Sequence, residues 1–146
     1  MEKIFIIPKV LQETLGNKVV VTRGIDSCLL LYSVKVWKQI KKEFARKIVA
    51  KESSSNVKAF LRLTLAGAEK FNIKNGEISF PDYLLEFAHL EDKKTAIILQ
   101  LQNGFEIWNK GLFLEHIKNY KGKQLQNGSR QLTRSQGKVY NLMLQY

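Results

Sequence analysis

The chain has 146 residues, 45% of them hydrophobic and 25% charged, enough apolar material for one packed core or for two small repeats that share one. No apolar run approaches the ~20 residues needed to span a bilayer, and a single cysteine, Cys28, excludes an intramolecular disulfide. Twenty-four Lys and Arg face 13 Asp and Glu, a net charge of +11, and so basic a chain favours a polyanion partner such as nucleic acid or an acidic membrane surface.

Met1-Glu2-Lys3 leads straight into Ile4-Phe5-Ile6-Ile7-Pro8, a strand-like run without a small-residue cleavage site, so the expected location is the cytoplasm. Pro8 suits the first turn of a helix, predicted over Lys9 to Leu15 and closed by Gly16-Asn17. Val19 to Thr22 reads as a β-rich strand. A turn at Gly24 to Ser27 and a strand at Leu29 to Tyr32 follow. Cys28 lies in that apolar run and reads as a small core residue rather than a nucleophile. Val34 to Ala50 is a basic amphipathic helix whose apolar face carries Val36, Trp37, Ile40, Phe44 and Ile48. Lys51 to Asn56 is a linker whose Ser and Asn residues can cap the next helix, Val57 to Ala68.

The second half repeats the first. Ile7-Pro8 lies over Phe80-Pro81, and Leu11 and Glu13 then meet Leu84 and Glu86. With three extra residues around His89 to Lys94, Val19-Val20-Val21 meets Thr95-Ala96-Ile97, and Leu29 to Tyr32 meets Phe105 to Trp108. Val36-Trp37 meets Leu112-Phe113. Such self-similarity marks a repeated supersecondary unit. The predicted elements of this copy are a short helix from Asp82 to Ala88, a strand from Thr95 to Leu101, a turn at Gln102-Asn103-Gly104 and a strand from Phe105 to Trp108. Residues 119–146 are rich in Gln, Asn, Gly and Ser and read as a basic disordered tail, with Val139 to Leu144 as its candidate docking stretch.

The basic residues cluster. Lys35 to Lys51 contains seven against one acid, Glu43, and Ile117 to Tyr146 contains six against none. The helix from Lys35 to Lys51 is either a solvated face or a nucleic-acid contact. The chain offers little catalytic chemistry. His89 and His116 have no Cys or carboxylate cluster at metal spacing, no Gly-rich phosphate loop is present, and Ser27 has no base at a plausible position. The expectation is a protein without cofactor or metal that is not an enzyme and binds neither a membrane nor a small-molecule substrate. Trp37, Phe105 and Trp108 read as core or subunit-interface residues.

Ile6-Ile7-Pro8-Lys9, Leu15-Gly16 and Val21-Thr22-Arg23-Gly24-Ile25-Asp26-Ser27-Cys28-Leu29-Leu30-Leu31-Tyr32 together resemble the first half of the MraZ family. Phe60 to Ala68 resembles its linking helix. Gly76-Glu77-Ile78-Ser79-Phe80-Pro81 and Phe105 to Lys110 resemble its second half. The resemblance implies an α+β, β-rich fold of two tandem AbrB-like strand/helix repeats, forming a swapped-hairpin β-barrel with flanking helices. The corresponding division is a first repeat with its basic helix at 1–51, a linking helix at 52–69, a second repeat at 70–118 and the tail at 119–146.

The resemblance also implies a function. MraZ proteins are bacterial DNA-binding transcriptional regulators of the division and cell-wall gene cluster, assembling as homo-oligomeric rings on repeated promoter sites, so a nucleoid-associated protein is expected. The family begins with a further strand and carries an Asp-x-x-x-Arg motif at each DNA-facing hairpin. Here the arginine position of the first motif is Ile4, and the second motif has Ile73 for the aspartate and Glu77 for the arginine. A carboxylate facing phosphate replaces attraction with repulsion. The polar and turn residues left near these hairpins, Lys3, Lys9, Lys70, Lys74, Asn75 and Gly76, are the expected DNA contacts. Arg23 is either a DNA contact or a structural partner of Asp26 or of a neighbouring subunit. The alternative is an oligomeric interaction protein that has lost specific DNA binding.

Overall fold

The computed structural model describes residues 3–92, 95–119 and 138–145. In chain order the elements are β1 (Lys3–Ile6), α1 (Lys9–Leu15), β2 (Lys18–Arg23), β3 (Leu29–Ser33), α2 (Val34–Val49), α3 (Ser55–Ala66), β4 (Glu69–Asn72), β5 (Glu77–Phe80), α4 (Asp82–Phe87), β6 (Thr95–Gln100), β7 (Phe105–Asn109), α5 (Lys110–Lys118) and β8 (Lys138–Gln145). A short 3-10 turn at Ile25–Ser27 joins β2 to β3. The α+β class is as expected, and most element bounds fall within two residues of those read from the sequence.

Local chemistry sets the boundaries. Pro8 and Pro81 immediately precede α1 and α4. Ser33 Oγ accepts from the Val36 amide at 3.1 Å, Ser54 Oγ from Val57 at 3.2 Å and Asn109 Oδ1 from Leu112 at 3.1 Å. Each such cap satisfies an amide that the helix start would otherwise orphan, worth about 1 kcal/mol. The Ser54 cap starts α3 two residues before the predicted Val57. Asn109 also donates its amide to the His89 carbonyl at 2.7 Å, tying the loop after α4 to the start of α5.

The strands form one eight-stranded sheet in the order β4-β2-β3-β7-β6-β8-β1-β5. Every ladder in it is antiparallel. Inward residues from strands of both halves build one core, including Phe5, Val19, Val21, Leu31, Ile78, Phe80, Ile98, Phe105 and Ile107, capped by Leu11, Leu84 and Leu85 of α1 and α4. Burying each large apolar side chain contributes roughly 1.5–3 kcal/mol. Two smaller clusters lie on the outer face. Val20, Leu30 and Tyr32 meet Trp37 and Ile40 of α2, with Leu65 of α3 alongside. Ile97 and Trp108 meet Phe113 of α5. The aromatic pairs match: Tyr32 and Trp37 have ring centroids 5.6 Å apart, as do Trp108 and Phe113. Trp37, Phe105 and Trp108 are therefore packed within the subunit.

The repeat is visible in the registers, with one correction. Val19 pairs with the cap residue Ser33, and Ala96 pairs with the cap residue Asn109. Val19 thus corresponds to Ala96, not Thr95. The cause is the turn, which runs from Gly24 to Cys28 in the first half and only from Leu101 to Gly104 in the second. A one-residue slip would exchange the two faces of a strand, and the corrected alignment puts Val19, Val21, Ala96 and Ile98 all in the core.

Two further expectations change. The sheet does not close into a barrel. β4 and β5 stand at its two ends, joined by a turn with only an isolated Lys74–Glu77 bridge, and each is laddered on one edge, β4 to β2 and β5 to β1. The tail is not wholly outside the fold either. Lys138–Gln145, which covers the candidate docking stretch Val139 to Leu144 of the otherwise disordered tail, is β8, a strand between β6 and β1. Ladder hydrogen bonds on both edges hold it, a stabilisation that hydrophobic periodicity does not report. Residues 120–137 of the same prediction lie outside the described residues.

Candidate nucleic-acid interface

Asn75 and Gly76 both take positive φ, 52° and 76°, the conformation that two-residue hairpin turns require and that Asn-Gly supplies most readily. The turn closes with Lys74 N to Glu77 O at 3.0 Å and Glu77 N to Lys74 O at 2.8 Å. It is braced from outside. The Ile7 amide donates to the Gly76 carbonyl at 2.8 Å, the Ile73 amide to the Asn17 carbonyl at 2.8 Å, and Gln12 Nε2 to the Ile7 carbonyl at 2.8 Å. The Gln12 side chain packs so closely on Gly76 that a Cβ there would meet Nε2 at 2.4 Å. This loop tip is held rigidly by α1 and the end of β1.

Strand alternation decides what the hairpin shows to solvent. Phe71, Ile78 and Phe80 face the core, so Lys70, Asn72 and Lys74 share the outward face of β4. Lys70 and Lys74 are exposed. On β2, Lys18 stands beside Asn72 in the ladder, and Val20 stands beside Lys70. Lys18 is exposed as well, so β2 adds a third cation to the outward face. Sequence reading missed it, because β2 is a continuous apolar run without alternation and the nearness of Lys18 to Asn72 is set by the β2–β4 ladder. Glu77, exposed on β5, and Ser79 border the same strip, with Ile4 of β1 across a shallow depression lined by Asn72 and Lys74.

The expected contacts separate into groups. Lys70, Lys74, Asn75 and Gly76 come together on the hairpin, and Lys9 is exposed where α1 starts, two residues after Ile7 meets Gly76. Lys3 is not with them. It pairs with Phe80 at the far end of β5, and its ammonium donates to the Leu90 carbonyl at 3.3 Å. Ile73, at the motif's aspartate position, is buried in the core. Arg23 does not pair with Asp26. Its guanidinium lies 5.3 Å from the centroid of the Phe87 ring, while Asp26 faces His116 at 3.8 Å.

A second basic surface lies on α2. Trp37 and Ile40 bury its apolar face, while Lys35, Lys38, Lys41, Lys42, Arg46 and Lys47 are all exposed. The sole acid of that helix, Glu43, meets Lys47 at 3.5 Å. Arg46 and Lys47 occupy the last turn, where the helix dipole favours positive charge.

The remaining titratable chemistry is structural. Cys28 is fully buried. Its thiol donates to the Ile25 carbonyl at 3.1 Å and lies 3.5 Å from the Glu106 carboxylate. Burial, and then the Glu106 charge, push its pKa far up, the opposite of what a thiolate nucleophile needs. Among the described residues no group of three or more His, Cys, Asp and Glu side chains could hold a metal, and no described helix is long and apolar enough to cross a membrane.

Residues 4–60 match the family profile described as "MraZ protein, putative antitoxin-like". The chain is 36% identical over 115 residues to the transcriptional regulator MraZ of Caldanaerobacter subterraneus subsp. tengcongensis, covering 78% of this chain and 77% of the relative. The MraZ regulator of Thermoanaerobacter sp. strain X514 is 37% identical with the same coverage. That of Halothermothrix orenii is 35% identical over 105 residues, 71% of this chain and 70% of the relative. The chain belongs to the MraZ family of transcriptional regulators. As an MraZ family member it combines an intact Asn75-Gly76 turn with an apolar, buried Ile73 and an exposed carboxylate at Glu77.

Proposed function

We propose that this MraZ-family chain is a non-enzymatic regulator that binds DNA through the β4–β5 hairpin and its neighbours. It assembles as a homo-oligomeric ring on repeated sites upstream of the division and cell-wall gene cluster, a cytoplasmic, nucleoid-associated location. The observation that carries the reading is the outward strip of Lys18, Lys70 and Lys74 beside a braced Asn75-Gly76 tip. Lysines on a rigid strand pair meet phosphates without reordering, and each phosphate neutralised releases counterions, contributing about 0.9 to the salt slope of binding. Lys9 extends the strip toward α1. Glu77 opposes it, so phosphate contact here is weaker than a motif arginine would give. Base readout is weak as well, because phosphate contacts position a protein while base contacts specify the site.

The basic face of α2 supports a second contact, since six exposed cations on a 16-residue helix face one carboxylate. A gel-shift series on repeat-containing and scrambled DNA at two salt concentrations tests both. The expected result is binding that weakens steeply with salt and prefers the repeats. Lys74→Glu reports on the hairpin, and a Lys41→Glu/Lys42→Glu pair reports on α2. Complete loss of binding even at low salt would refute the proposal and leave an oligomeric interaction protein.

A further inference from the structure

The two halves of the sheet are related by a pseudo-twofold arrangement, and it assigns β8 a role. In the first half β4 lies along β2, with Val21 opposite Glu69 and Val19 opposite Phe71. In the second half β8 lies along β6, with Ile98 opposite Tyr140 and Ala96 opposite Leu142. Val19 and Val21 correspond to Ala96 and Ile98, so Glu69 and Phe71 correspond to Tyr140 and Leu142. The other edge agrees. Glu77 of β5 bridges Lys74, and its counterpart on β1, Ile4, pairs with Gln145. Both edges place β8 at the same displacement from β4. The partnership of β1 with β5 is itself symmetric, since Lys3 pairs with Phe80 while the Ile7 amide bonds the Gly76 carbonyl.

β4 reaches its place through a covalent turn into β5. β8 reaches the equivalent place from the opposite direction along the chain, 20 residues after the last residue of α5, and is laddered to β1 without a covalent turn between them. We propose that the slot between β1 and β6 is a strand-acceptor site that takes an extended peptide by strand addition, and that its resident ligand is the chain's own segment Lys138–Gln145. Main-chain hydrogen bonds on both edges supply affinity in this mode of recognition, and register supplies specificity. This inference rests on the fold and is independent of DNA binding.

Ile6 and Met143 are Cα partners, and antiparallel partners stand ~4.5–5.5 Å apart, within the reach of a disulfide. In the full chain, Ile6→Cys/Met143→Cys should oxidise to an intramolecular disulfide, visible as a faster-migrating monomer on a non-reducing gel. The shifted pair Ile6→Cys/Leu142→Cys should cross-link at least tenfold less. Disulfide-linked dimers in the first pair would overturn the own-chain assignment and give the slot to a neighbour's strand. Equal cross-linking of both pairs, or none, would overturn the register and with it the site. Leu142→Pro removes a ladder donor from the middle of β8. The full chain carrying it should bind a fluorescent peptide of residues 138–146 one to one, while the oxidised Ile6→Cys/Met143→Cys chain excludes it. Peptide binding to neither chain would refute the acceptor site.

Discussion

Gly16 and Gly76 both take positive φ and differ in their surroundings, so substituting each in turn separates a backbone cost from a packing cost. Both have φ of 76°, where an L side chain is strained; at Gly76, in the hairpin turn, that costs about 1–2 kcal/mol, while Gly16, with ψ of −158°, lies in a region essentially reserved for glycine, at about 1–3 kcal/mol. A Cβ at Gly16 meets nothing within 4 Å, but a Cβ at Gly76 meets Gln12 Nε2 at 2.4 Å. That amide must swing away and give up its bond to the Ile7 carbonyl, a further ~1 kcal/mol. Gly16→Ala should therefore lower stability by about 1–3 kcal/mol and Gly76→Ala by about 2–3 kcal/mol. For a chain of this size each kcal/mol shifts Tm by roughly 3 °C. Urea unfolding at fixed protein concentration measures both. In a Gln12→Ala background the second cost vanishes, and Gly76→Ala should then cost only about 1–2 kcal/mol. An equal penalty for Gly76→Ala with and without Gln12 would refute the claim that this side chain braces the turn.

Glu77→Arg should tighten DNA binding and steepen the salt slope by about 0.9 per added phosphate contact, and Lys74→Glu should do the reverse; gel shifts across a salt series read both. Asn109→Ala removes the α5 cap and the bond to the His89 carbonyl, and should cost about 2 kcal/mol in urea unfolding. Cys28 should resist Ellman's reagent in the folded protein and react promptly in urea, because the thiol is buried. Its pKa is raised by folding, so its contribution to stability is fully present at neutral pH. That contribution falls as pH rises above ~8.5, where the unfolded thiol ionises, and Cys28→Ala should flatten that decline.

Local elements were legible because local residues determine them. Pro8 and Pro81 mark helix starts, Asn75-Gly76 marks the hairpin, and the apolar spacing of Trp37 and Ile40 marks α2. The repeat was legible through Ile7-Pro8 and Phe80-Pro81. Pairing was not, because strands find partners by shape and burial at long range. The order that puts β4 and β5 at opposite ends of the sheet could not be read from either strand. β8 was legible only as a docking stretch at Val139 to Leu144, because that run lacks strict alternation and its partners β1 and β6 lie far away in sequence. At the interface, the hairpin cluster of Lys70, Lys74, Asn75 and Gly76 was visible from its turn. Lys18 was not, since its nearness to Asn72 depends on the β2–β4 ladder. Nor could the sequence reveal that Lys3 bonds the carbonyl of Leu90, 87 positions away.

The position of β1 has a consequence for synthesis. Of the described strands it leaves the ribosome before the others, yet its partners are β5 and β8, at residues 77–80 and 138–145. At translation rates of about 5–20 residues per second, Phe5 and Ile7 wait roughly 4–15 s for the first partner and roughly 7–30 s for the second. During that interval an apolar strand with two open edges is attached to a growing chain, the exposure that invites pairing with the wrong neighbour. The first half cannot relieve it, because β2 and β3 pair with each other, β4 and β7 but not with β1. This sheet is thus completed late, when β8 arrives, and nascent chains stalled before residue 138 should be the ones that chaperones hold.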